Sequence, residues 1–191
     1  MATTPRHGAD QFLLEQTITT VEEAKTKIVD AVSRLKNEKL RMLCLLVTNT
    51  PEFWTSPASK KMHHAFKGGL AIHTAQVTFG MLRLLSVFKS SKVEEAFTAG
   101  LWHDFAKIYE YGQDGDYTTD GKLIGHISMG SNLFNQAAAT IDLDIEATRF
   151  INHMILSHHG RLEWGSPVEP KTPEAYALHA SDMLSASYTL S

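Results

Sequence analysis

The sequence predicts an all-α helical bundle with a short loop or hairpin between its central helices. Three observations carry that reading. Apolar residues recur at three- and four-residue spacing through most of the chain. Strand-like alternation is weak everywhere. Breaks rich in glycine, proline and small polar residues fall at 50–57, 109–125 and 160–173, and they cut the chain into pieces of helical length. The expectation is roughly five to seven helices.

Taken in order, residues 1–19 are small and polar and predict an N-terminal tail. Residues 20–191 are expected to form a single domain, since a domain takes about 100–200 residues. Val21, Ala24, Ile28, Ala31, Val32, Leu35, Leu40, Leu43, Leu46 and Val47 predict one or two amphipathic helices. Gly68-Gly69 precede a helix over 70–87. A further helix is predicted over 93–108, with Glu94 and Glu95 in its first turn, where the helix dipole favours acids. Gly112, Gly115 and Gly121, with Asp114, Asp116 and Asp120, make 109–125 a loop or small hairpin. Helices over 126–139 and 145–157 follow. Pro173 suits the first turn of a last helix that runs to about residue 190.

Composition narrows the class. Hydrophobic residues are 43% and charged residues 20%, ordinary globular usage rather than that of a disordered or fibrous chain. No run of 18 apolar residues exists, so no transmembrane helix or membrane partner is expected. The first residues lack an apolar stretch, so no signal peptide is expected. The single cysteine, Cys44, cannot pair internally, and a cytoplasmic location follows as the expectation. A net charge of −3 leaves no global basic footprint for nucleic acid. Charge is unevenly spread, however. Residues 53–93 hold no acid but do hold Lys60, Lys61, Lys67, Arg83, Lys89 and Lys92, whereas 94–120 hold seven acids against Lys107. This reads either as solvated helix faces or as a positive rim beside a site that accepts an anion.

Ten histidines require an explanation. His73, the pair His103-Asp104, His126, the pair His158-His159, and Asp182 all fall in predicted helices or at their ends. Imidazole and carboxylate suit first-row transition metals. A carboxylate between two histidine sets can bridge two cations, and ions about 3.5–4 Å apart can activate water and hold a phosphoryl oxygen. Each histidine alone reads more simply as a core or surface residue. The local context raises the metal reading. Asp104 ends an apolar helix, where a carboxylate is costly to bury unless paired or metal-bound. His158-His159 precede Gly160, and Asp182 lies among Ala180, Met183, Leu184 and Ala186.

Histidine, then His-Asp, then a later Asp resembles the HD-domain metal-dependent phosphohydrolases. The full set is similar to their dinuclear subgroup, including the HD-GYP phosphodiesterases, with Lys107 three residues after Asp104, then His126 and the adjacent pair. The motif that names the HD-GYP group is absent, and Gly160-Arg-Leu-Glu-Trp-Gly-Ser-Pro167 stands there instead. A closer resemblance is to the YhaM-type 3′→5′ exoribonucleases. It is carried by Phe53-Trp54 through His63-His64 to Gly68-Gly69 and His73-Thr74, by Gly125-His-Ile, by His153 to Gly160, and by Gly165-Ser-Pro-Val-Glu-Pro-Lys-Thr172. It spans roughly residues 37–187.

The resemblance implies an HD-domain helical bundle and two divalent metal ions. One ion would be held by His73, His103, Asp104 and Asp182, the other by Asp104, His126, His158 and His159, with Asp104 bridging. Asp104 and Lys107 would be catalytic, Lys107 contacting the scissile phosphate or the attacking hydroxide. Manganese is the implied metal; iron, cobalt, nickel or zinc also suit the residue types. The implied activity is a metal-dependent phosphodiesterase that uses a metal-activated water. Those exoribonucleases carry an OB-fold module before the HD domain. Only some 35 residues precede the match here, so the expected substrate is a nucleotide or a short single-stranded oligonucleotide. A nucleotide phosphomonoesterase or a cyclic nucleotide or dinucleotide phosphodiesterase is the alternative. A diiron oxygenase would use fewer histidines and no such lysine. A non-catalytic nucleotide-binding module would have lost ligands, and none of the seven is missing.

Four further residues are candidate substrate contacts. His64 and Lys67 sit in the acid-free stretch, where His64 and its neighbour His63 also read as a polar loop. Arg161 and Trp164 sit in the loop after His159. Trp164 would stack a base or plug the surface, and Arg161 and Lys171 would pair with phosphate or serve as surface residues. His153 lies five residues before His158, about 140° away around a helix, and reads as a core residue or a support behind the ligands more than as a ligand. His179 shares a face with Asp182 and reads as a core or surface residue. His7 belongs to the tail. The amphipathic N-terminal helices would either pack on the core or make a homo-oligomer.

Overall fold

The computed structural model describes residues 18–60, 64–112 and 115–187. Among these there is no strand, and one isolated bridge joins Tyr111 to Tyr117. The α-helices are α1 (Val21–Ser33), α2 (Glu38–Thr48), α3 (Gly69–Phe88), α4 (Val93–Trp102), α5 (Lys107–Glu110), α6 (Thr119–Leu123), α7 (Gly125–Thr140), α8 (Ile145–Ser157) and α9 (Pro173–Ser187). Seven of these have ten residues or more; α5 is a single turn that straddles the end of the helix expected over 93–108, and α6 is a single turn inside the segment expected to be a loop or hairpin. Residues 1–17, which include His7, lie outside the described residues, as do Lys61, His63 and Asp114.

Local chemistry sets the boundaries. Thr20 Oγ1 accepts from the Glu23 amide at 3.2 Å, and the Glu23 carboxylate accepts from the Thr20 amide at 3.0 Å, a reciprocal cap that starts α1. Asn37 caps α2. Its own amide and that of Lys36 donate to the Glu94 carboxylate, each at 2.9 Å, which ties the entry of α2 to the first turn of α4.

Helix α3 runs through the middle and packs on α1, α4 and α9, while α4 packs on α2 and α8, and α7 on α8. Trp102, Phe53, Phe97 and Phe134 are the largest fully buried side chains. The apolar faces of α1 and α2 turn inward: Ile28, Val32, Leu40, Leu43 and Val47 are all buried. Among the described residues α3 alone has the length and apolarity of a membrane span, and 67% of its apolar window is buried inside the fold. A core helix passes the same test.

The structure corrects one predicted helix. The helix expected over 93–108 stops at Trp102, and residues 103–106 form a tight turn before α5. The apolar pattern runs through the break, but the hydrogen bonds shorten to three-residue steps. Phe105 N–H bonds Trp102 C=O at 3.2 Å, and Lys107 N–H bonds Asp104 C=O at 2.9 Å. Such bonds overwind the chain and bury both His103 and Asp104.

Candidate metal centre

Five helices meet at one point. His73 comes from α3, His103 and Asp104 from the turn after α4, His126 from the start of α7, His158 and His159 from the end of α8, and Asp182 from α9. The structure brings all seven together in two groups. One ligand atom from each of His73, His103, Asp104 and Asp182 lies within 4.8 Å of the others, and the same holds for His126, His158 and His159. Asp104 touches both groups through opposite oxygens. Its Oδ2 lies 3.2 Å from His73 Nε2 and 3.5 Å from His103 Nε2. Its Oδ1 lies 3.3 Å from His126 Nε2 and 3.5 Å from His158 Nε2. Asp182 Oδ1 lies 3.0 Å from His73 Nε2.

The remote nitrogen of each ring fixes its tautomer. His103 Nδ1 donates to Gly100 C=O at 2.7 Å, His158 Nδ1 to Ile155 C=O at 2.7 Å, and His159 Nδ1 to Trp164 C=O at 2.9 Å. His126 Nδ1 donates to the Glu110 carboxylate at 2.9 Å. For His73 the assignment runs along a relay. The Ile18 carbonyl can only accept, so Gln76 presents Nε2–H to it at 2.8 Å. Gln76 Oε1 then accepts the Ser185 hydroxyl at 2.8 Å, and Ser185 Oγ accepts His73 Nδ1–H at 3.0 Å. With Nδ1–H turned outward in all five rings, each Nε2 faces the centre and carries a lone pair when its ring is neutral. The Nε2 atoms of His73 and His103 are only 3.4 Å apart.

Lone pairs and carboxylates aimed at one another need a proton or a cation between them. Asp104 Oδ1, His126 Nε2 and His158 Nε2 are buried without a hydrogen-bond partner, and buried polar atoms seldom stay so. Imidazole nitrogen with carboxylate oxygen is the donor set of a divalent transition metal, and outward Nδ1–H bonds are how metal-bound histidines are held. The residues fit such an ion at each group.

The electrostatics agree. Burial alone would raise the Asp104 carboxyl, but Lys107 Nζ, 2.7 Å away, and His103 outweigh it and hold the group well below the usual carboxylate range. Burial opposes ionisation of Asp182 as well, and His73 overcomes it. Burial would lower His73, yet Asp104 and Asp182 together push it above the usual imidazole value. Asp104 and Asp182 also act on His158 and His159, but there burial outweighs them and pushes both rings down.

The candidate substrate contacts fall around this centre unequally. His64 is buried at φ 55°, its ring centroid 5.5 Å from that of His73. Its carbonyl packs where a side chain on residue 69 would stand: a Cβ there would come within 2.0 Å of it, so glycine is required. Lys67 is exposed on the turn leading into α3. Arg161 is exposed, pairs with Glu163 at 3.2 Å, and lays its guanidinium over the Trp164 ring at 4.8 Å. Trp164 is 44% exposed, and its carbonyl orients His159. His153 stands apart from the centre, where its Nε2 accepts the Lys171 amide at 3.0 Å.

Sequence reasoning missed Glu110, Ser185 and Gln76. Glu110 left a signal, since it lies three residues after Lys107, which itself lies three after Asp104. Ser185 and Gln76 carry no local signal.

Comparison with known proteins places this centre in a wider group. A family model described as HD domain matches residues 70–187. The 3′-5′ exoribonuclease YhaM of Shouchella clausii (strain KSM-K16) is 37% identical over 148 residues, covering 76% of this chain and 46% of that protein. The chain thus spans about half the length of that curated relative. No solved structure matches.

Proposed function

The chain belongs to the HD domain family, and from that membership we propose that it is a metal-dependent phosphodiesterase acting on nucleotides or short single-stranded oligonucleotides. The observation that carries the proposal is Asp104, whose two oxygens face two separate histidine groups. The relative's name, a 3′-5′ exoribonuclease, supports a phosphodiester of RNA as the substrate class.

In this reading His73, His103, Asp104 and Asp182 hold one divalent ion, and Asp104, His126, His158 and His159 hold the other. Manganese is the proposed metal, with iron, cobalt, nickel or zinc compatible with the same donors. Bound ions would supply Lewis acidity toward a phosphoryl oxygen and lower the pKa of water. The protein's own groups do the rest. Asp104 spaces the two positions. Lys107, protonated and anchored on Asp104 Oδ2, is placed to meet a phosphate oxygen and to stabilise the charge that grows on it. His64, beside His73, stands near the scissile group. Trp164, carried on the same loop that orients His159, offers an aromatic surface for a base, with Arg161 and Lys67 as outlying cations.

The test is manganese-supported cleavage of a short 5′-labelled single-stranded RNA, with Asp104→Ala as the blank. A ladder descending from the 3′ end, absent in the variant, is the expected result. Cleavage that survives in Asp104→Ala would overturn the assignment. Free phosphate released from nucleotide monoesters, with the RNA intact, would move the activity to a phosphomonoesterase.

A further inference from the structure

Five imidazoles face the centre, and their remote nitrogens are not treated alike. Those of His103, His158 and His159 donate to backbone carbonyls, and that of His73 to a serine hydroxyl. His126 alone donates to a carboxylate, that of Glu110. We propose that Glu110 is the positioning residue of the second metal position, holding the His126 ring in place and strengthening it as a donor. The inference rests on the two-ion reading above.

The geometry is specific. Glu110 Oε1 accepts twice from one residue, from His126 Nδ1–H at 2.9 Å and from the His126 backbone N–H at 3.1 Å. One oxygen thereby fixes both the start of α7 and the ring it carries. Gly125, at φ 74°, turns the chain into that position. Glu110 is itself held. It ends the single turn α5, its amide bonds Ala106 C=O at 3.2 Å, and its carbonyl accepts the Thr118 amide at 3.0 Å. A Cβ on residue 121 would reach within 2.3 Å of that carbonyl, so Gly121 lets α6 close over it. The side chain is buried, which keeps the carboxylate–imidazole bond out of water.

The consequence is an asymmetry between the two positions. A carboxylate on the remote nitrogen gives the ring partial imidazolate character, so His126 Nε2 is a stronger donor than a ring bonded to a neutral carbonyl. It also adds a negative charge beside the second position only. Asp104, Lys107 and Glu110 follow one another at three-residue intervals, so one short stretch supplies the bridging carboxylate, the ammonium and the anchor of the opposite ring.

The test uses the full chain stripped of metal and titrated with Mn²⁺ by calorimetry, comparing wild type with Glu110→Gln. Glutamine keeps an acceptor oxygen and removes the charge. Wild type is expected to take two ions. Glu110→Gln is expected to lose about 10- to 100-fold in affinity at one position and to leave the other unchanged. Equal affinities in the two proteins, or an equal loss at both positions, would overturn the proposal. A wild-type protein that takes a single ion would overturn the two-ion reading itself, and the wild-type curve alone shows this. A second readout needs no metal. The ¹⁵N shifts of His126 in the stripped protein should report Nδ1–H in wild type and a mixture of tautomers in Glu110→Ala, and an unchanged Nδ1–H signal in that variant would also overturn it.

Discussion

His179 donates its Nδ1–H to the carbonyl of His158 at 2.8 Å, and its ring fills the space over residue 160. One histidine outside both metal groups therefore sets the path of the chain that carries two histidines of the second group. A Cβ on residue 160 would lie 2.3 Å from that ring, and the backbone there has φ 84°.

Gly160→Ala is accordingly expected to be destabilising on two counts, left-handed strain and displacement of the His179 ring. The loss should be on the order of 1–3 kcal/mol in urea unfolding. Mn²⁺ affinity should fall with it, because His158 and His159 must move. An alanine variant with the wild-type midpoint and wild-type metal affinity would show that the ring yields freely.

Ser185→Ala removes the acceptor of His73 Nδ1–H and cuts the relay to Gln76 and Ile18. Loss of such a support typically costs about 10- to 100-fold in metal affinity. The loss should fall on the position that His73 serves, the converse of Glu110→Gln. Titrating the double variant with Mn²⁺ should give losses that add, one at each position.

Metal removal and pH should interact with a defined sign. In the stripped protein His73 is raised, so its contribution to stability is complete below the ordinary imidazole value of about 6.5 and fades as pH climbs through its folded value. His158 and His159 are lowered, so they cost stability as pH falls through about 6.5, where the unfolded chain binds protons that these rings refuse. Bound metal requires every ring deprotonated. The gain in melting temperature on adding Mn²⁺ should therefore widen from about pH 5.5 to about pH 7.5. A gain that stays constant across that range would mean that histidines do not hold the metal.

Cys44 gives a check on the core. Burial pushes its thiol up to about 12, and its hydrogen bond with Thr98 only partly offsets this. At about pH 8 the native thiol stays protonated and shielded, and so unreactive. A chromogenic disulfide reagent should count no fast thiol in the folded protein and one per chain in guanidinium. Fast native labelling would mean that α2 opens away from α4.

Much of the architecture was legible because helix periodicity is local. Apolar spacing and break residues predict five to seven helices, and seven of useful length are found, the stretch over 21–47 splitting into α1 and α2. The helix over 93–108 was misread for the same reason, since its apolar spacing continues while its hydrogen bonds change step. The seven candidate ligands were legible too, because buried-type segments carried histidine and aspartate against their usual preference. His103 and His158 donate to carbonyls three residues back, a bond that each helix end supplies for itself.

The sequence by itself determined the longer helices, apart from the stop after Trp102, and the residue types at their ends. The tertiary structure decided which ligands share a group, which Asp104 oxygen faces which group, and how the remaining rings are oriented. His73 depends on Ser185 at a separation of 112 residues, Ser185 on Gln76 at 109, and Gln76 on Ile18 at 58. His126 depends on Glu110 across a turn and a bridge. A repeat of 3.6 residues carries no information over such distances. The packing of α9 on α3, and of α7 beside α5, makes these hydrogen bonds, and the hydrogen bonds fix where each lone pair points.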